Sequence, residues 1–111
     1  MIKRISNAEA RKYVKTRVSF ITNNKTLFSE QRETGYVVYS YGSHFPLFIY
    51  EPISARWYEN EDKYSRTTSM HRTKAHPHTE TIKLSTYGMT MLINRGFGWM
   101  CEQRILGNLE A

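Results

Sequence analysis

An α+β fold is predicted: a small antiparallel β-sheet of about four to five strands, with an N-terminal helix and one or two C-terminal helices. Three observations predict it. Capping signals with helical apolar spacing stand near both ends of the 111-residue chain. Runs of β-branched and aromatic residues fill its middle. No repeat or low-complexity linker divides it, so residues 1–111 are expected to form a single domain.

The N-terminal helix is read from "ISNAEARKYVKTR". Ser6 and Glu9 have capping-box spacing, and Ala10, Tyr13, Val14 and Arg17 follow a 3.6-residue period. That phase leaves Arg11, Lys12 and Lys15 on a basic outer face. "VSFIT" reads as a strand, Asn23-Asn24 as a turn, and "TLFSEQR" as the hairpin partner. "GYVVYSYG" and "FPLFIYE" carry the strongest β signal, with Pro46 confined to a strand start or an edge. "ARWYEN" is a third member of this meander, and "NED" at residues 60–62 a turn. "ETIKLS" looks extended. Ser85 then caps a helix over "TYGMTMLINR", Gly96 terminates it, and "FGWMCEQRIL" makes a last helix.

Charge is distributed in blocks. The net charge is +6, from 16 Lys and Arg against 10 Asp and Glu. In residues 1–25, Lys3, Arg4, Arg11, Lys12, Lys15, Arg17 and Lys25 stand against Glu9 alone. Residues 26–62 are acidic, and residues 63–78 hold Lys63, Arg66, Arg72 and Lys74 with no acid. Cys101 is the one cysteine, which rules out an internal disulfide and favours a reducing compartment. No run of 18 apolar residues occurs, and "MIKRISNAEARKYV" lacks the apolar core of a secretory leader, so no membrane partner is expected.

The segment "YSRTTSMHRTKAHPHTET", residues 64–81, interleaves cations, histidines and hydroxyls. Phosphate binding needs both kinds of group: Lys and Arg for charge, hydroxyls and N–H groups for register. An extended conformation would put Arg66 and Thr68 on one face and Thr67 and Ser69 on the other. The expected contacts to DNA or RNA are Lys63, Arg66, Thr67, Thr68, His71, Arg72 and Lys74, with Arg11, Lys12 and Lys15 as an outlying patch. Tyr39, Tyr41, Tyr58 and Tyr64 would stack on bases wherever they point outward. If histidines take part, binding tightens on mild acidification. The bland alternative is a polar edge strand whose lysines prevent edge-to-edge pairing.

Other chemistries have less support. His71, His76 and His78 have the spacing H-x4-H-x-H, but Pro77 interrupts the pinch and no motif supplies further ligands, so no metal or cofactor is assigned. His44, His71, Tyr64, Lys63, Arg66 and Arg72 are the ingredients of a small basic ribonuclease, yet no spacing fixes their geometry and no catalytic residue is assigned. A protein-docking alternative uses Trp57 and Tyr58 as anchors beside Glu59, Glu61 and Asp62.

The stretch "GYVVYSYGSHFPLFIYE" followed by "RWYENEDKYSRTTSMHRTKAHP" resembles a family of small, functionally uncharacterised accessory proteins of bacteriophages. Tyr39, Ser40, Tyr41, Gly42, Pro46, Trp57, Asn60, Lys63, Tyr64, Ser65, Thr67, Thr68, Ser69 and His71 carry the likeness. The resemblance brings no activity, cofactor or catalytic set. What it implies is a setting: the cytoplasm of a host bacterium, where such a protein handles nucleic acid or disables a host or defence protein.

Overall fold

A computed structural model describes residues 3–42, 45–63 and 66–105, without the side chains of residues 103–105. The order is β1 (Lys3–Ile5), a 3-10 turn (Asn7–Glu9), α1 (Ala10–Lys15), β2 (Phe20–Thr22), β3 (Leu27–Arg32), β4 (Gly35–Ser40), β5 (Pro46–Glu51) and β6 (Arg56–Asn60). Then come α2 (Arg66–Ala75), β7 (Thr81–Leu84), α3 (Thr86–Arg95) and α4 (Phe97–Ile105). The fold is α+β with helices at both ends, as expected, but the sheet is larger than expected and mixed. Its seven strands lie side by side in chain order. The β2–β6 meander is antiparallel, whereas β1–β2 and β6–β7 pair in parallel.

Both departures have one cause. Parallel neighbours cannot be joined by a hairpin and need a crossover, here helical in both cases. The chain crosses from β1 to β2 through α1 and from β6 to β7 through α2. Both crossovers advance in the same direction across the sheet, so crossovers of one hand put both helices on one face. Ala10 and Val14 of α1 and Ala75 of α2 accordingly share a core with Phe20, Leu27, Tyr36, Val38, Phe48 and Trp57. The opposite face packs Val37, Tyr39, Ile49 and Tyr58 against Met89, Leu92 and Ile93 of α3 and Met100 of α4.

Two covered faces explain why all six residues of β4 are buried. Alternation sends Tyr36 and Val38 to the α1–α2 side and Val37 and Tyr39 to the α3–α4 side. Register slips between Val38↔Phe48 and Tyr39↔Pro46, which leaves Leu47 as an extra residue. That bulge lets Pro46 stand at the first position of β5, where its missing N–H is tolerated.

The helix ends follow their sequence signals. Glu9 Oε1 accepts from Ser6 N–H at 3.2 Å, although the first turn is 3-10 and α1 itself begins only at Ala10. Ser85 Oγ accepts from Gly88 N–H at 3.1 Å, and α3 stops before Gly96, whose φ is +89°. Gly88 suits a close approach: a Cβ there would sit 3.3 Å from Leu84 Cβ, a tight contact. Among the described residues no helix is long and apolar enough to cross a membrane.

Candidate nucleic-acid interface

The segment read as extended is a helix. In α2, residues 68, 71 and 75 lie on one side at helical spacing, and Thr68, His71 and Ala75 are all buried. The inner row is therefore polar. His71 Nδ1 lies 2.8 Å from Ser40 Oγ at the end of β4, and Nε2 lies 3.5 Å from Thr26 Oγ1. Ser40 Oγ is also 3.3 Å from Thr68 Oγ1. These hydroxyls serve a neutral ring, and burial pushes the His71 pKa down. Thr68 and His71 are thus corrected from phosphate contacts to interior residues, since neither reaches the surface.

The far end of α2 is organised by charge. Arg11 of α1 donates from Nε to His76 O at 2.8 Å and from NH2 to Thr73 O at 2.5 Å. Carbonyls in a helix's last turn lack intrahelical donors, so the guanidinium caps α2 and places a cation at the negative end of its dipole. The two basic blocks meet at this contact, which joins residues 62 apart in the chain.

Beside it lies Glu59, a carboxylate in the inward phase of β6 and 5% exposed. Lys83 Nζ approaches Glu59 Oε1 at 3.1 Å from β7, and Thr81 Oγ1 donates to it at 2.7 Å. His76 Nε2 lies 3.3 Å from Oε1, and Arg72 Nε 3.7 Å from Oε2. Burial alone would raise the Glu59 pKa. Hydrogen bonds from Thr81 and Lys83, with the charges of Lys83 and His76, outweigh it and hold the pKa below the ordinary value.

A cleft of about 410 Å³ opens here, lined by Arg11, Glu59, Arg72, Thr73, His76 and His78. His78 stands at its exposed rim in the left-handed region, with φ +57°. Its N–H donates to His76 Nδ1 at 3.0 Å, so the neutral His76 ring carries its proton on Nε2, towards Glu59. Both ring nitrogens of His76 are thereby engaged. Arg11 above all, then desolvation and the charges of His76 and Lys15, hold the His78 pKa below its usual value. Acid tightening through histidine accordingly loses His71 to the interior and starts, for His78, below the usual imidazole range.

The remaining expected residues divide sharply. Lys12, Lys15, Lys63, Arg66 and Lys74 are exposed, and Thr67 is half-buried. Arg72 is largely covered, donating to Asp62 O at 2.8 Å besides facing Glu59. Of the docking alternative, Trp57, Tyr58 and Glu59 are buried, which corrects the first two as surface anchors and the third as part of the docking surface. Glu61 and Asp62 are exposed, and Asp62 Oδ2 accepts from Thr86 N–H at 2.8 Å at the start of α3. That bond, with one from the Thr86 hydroxyl, lowers the Asp62 pKa. Tyr39 and Tyr58 point into the core, whereas Tyr41 is 45% exposed. His44, Tyr64 and Ser65 lie outside the described residues.

The sequence offers Glu59 only as part of an acidic docking patch; folded, it is the anchor of the cluster. Its signal was available: in "RWYEN" it shares the phase of Trp57, and a charged residue on the inward phase of a central strand must bring partners with it. Among the described residues no three His, Cys, Asp or Glu side chains are placed to hold a metal ion. No family model matches this chain, and neither do curated proteins or solved structures. The functional reading therefore rests on the geometry of the α1–α2 face.

Proposed function

We propose that this chain is a non-catalytic phage accessory protein that binds nucleic acid through its phosphate backbone. The contact surface is the outer side of α1 and α2. The observation that carries the reading is the Arg11 bridge: it draws α1 onto the end of α2, so Lys12 and Lys15 stand with Lys74 and Arg66 on one helical layer. The acids next to the basic run do not offset this layer fully. Glu59 is buried among its own cations, and Asp62 is bonded to the α3 terminus.

Exposed Lys12, Lys15, Lys63, Arg66 and Lys74 are the phosphate contacts, Thr67 supplies a hydroxyl, and Arg11 and Arg72 position the helices. A surface built this way reads charge and spacing but no base edges, so affinity is nearly independent of sequence. Reversing Arg66 and Lys74 to glutamate should weaken binding by the same factor for unrelated oligonucleotides in a fluorescence-anisotropy titration. An unchanged affinity, or a loss confined to one sequence, would contradict the reading.

A further inference from the structure

We propose that Tyr41 is a stacking platform for an unpaired base, so that the nucleic acid held by the α1–α2 face is single-stranded. This rests on the binding function proposed above and adds the substrate class. Tyr41 differs from its neighbours in the central strands: Tyr36, Tyr39 and Tyr58 are at most 2% exposed, and Tyr41 is 45% exposed. It is also held in the left-handed region, at φ +67°. A bulky side chain is disfavoured there, and glycine, which follows directly at position 42, would adopt it freely. Backbone of this kind persists only where its surroundings enforce it, and it concentrates at binding sites.

The surroundings do enforce it. Tyr41 N–H donates to Thr26 O at 2.7 Å, which ties the residue to the β2–β3 turn. The ring lies against His71, with centroids 5.5 Å apart and planes tilted by 38°. His71 is itself fixed by Ser40 and Thr26, so one face of the tyrosine rests on a rigid, neutral ring.

The ring's neighbours favour a base as its occupant. Lys25 precedes Thr26 in the turn, and Lys74 lies one helical turn beyond His71 on α2; both are exposed. Met70 adds a small apolar area on the same helix. One exposed aromatic ring, beside a turn and a helix that each carry an exposed lysine, is too small an apolar surface for a stable protein interface. It matches the combination used for single strands, in which cations follow the backbone and an aromatic face takes a base. A duplex keeps its base faces stacked and offers none to Tyr41.

The test compares wild type with Tyr41→Gly, Tyr41→Phe and Tyr41→Trp on an oligo-dT strand and on a duplex of equal length. Glycine suits the left-handed backbone, so Tyr41→Gly removes the ring without adding strain, and circular dichroism verifies the fold. Wild type should favour the single strand. Tyr41→Gly should lose about tenfold or more of that affinity while keeping its duplex affinity, and the aromatic variants should retain single-strand binding. Equal single-strand affinity of wild type and Tyr41→Gly overturns the stacking role while leaving salt-dependent backbone binding intact. Preference of wild type for the duplex overturns it as well. If neither nucleic acid binds in a salt-dependent manner, the underlying function falls and takes the platform with it.

Discussion

Both sides of α2 carry hydrogen-bonding side chains, and the two sides do opposite things. The inner side turns Thr68 and His71 into the protein, where hydroxyls of Ser40 and Thr26 serve a neutral imidazole. The outer side presents Arg66, Ser69, Thr73 and Lys74 to solvent. The comparison teaches that Thr, His and Arg in a basic run do not declare their place. Geometry separates those that hold the helix from those left available to a ligand.

The separation is broken most severely from the inside. His71→Ala should cost about 2–4 kcal/mol, because it opens a cavity and leaves the buried Ser40 hydroxyl with only its longer contact to Thr68. Thermal or urea unfolding measures this; a loss below about 0.5 kcal/mol would place His71 outside the core network. Glu59→Gln should cost less, about 1–2 kcal/mol, since Lys83 is partly exposed and can return to water while Arg72 keeps its bond to Asp62. The same unfolding experiment ranks the two, and the reverse order would mean that the charged end, not the neutral middle, anchors α2.

Acid sharpens the contrast more gently. His71 has a lowered folded pKa, so its unfolded form binds protons more readily. Its stabilisation is whole above the unfolded value of about 6.5 and declines as the pH falls through that value towards the folded one. Glu59 also has a lowered pKa, so its contribution is present above about 4.5, the unfolded value, and is lost as the pH falls through the folded one. Stability should thus fall in two stages on acidification. In His71→Leu the first stage should shrink and the second remain, as equilibrium unfolding across pH would record.

Much of the fold was legible in the sequence. The meander from Phe20 to Asn60, the Ser85 cap and the Gly96 stop stand where β propensity and capping chemistry put them. What was not legible depends on tertiary pairing. Three residues of β1 contain no period, and only the β2 edge makes them a strand. Helix α2 has no apolar stripe, because its buried row is Thr68, His71 and Ala75, and the partners that make such a row tolerable come from Ser40 and Thr26, far along the chain. The exposed cations were readable as types; that Arg11 would join their two blocks was not.

The central claim is that exposed cations on α1 and α2 act as one phosphate-binding layer. Its most direct measurement is the salt dependence of single-strand binding for wild type and for a variant with Lys12, Lys15, Arg66 and Lys74 changed to glutamine. Because these side chains are exposed, stability should move by less than about 0.5 kcal/mol each. The slope of log K against log salt should flatten by roughly 0.7 for each phosphate contact removed. A variant that stays folded and keeps the wild-type slope would contradict the account.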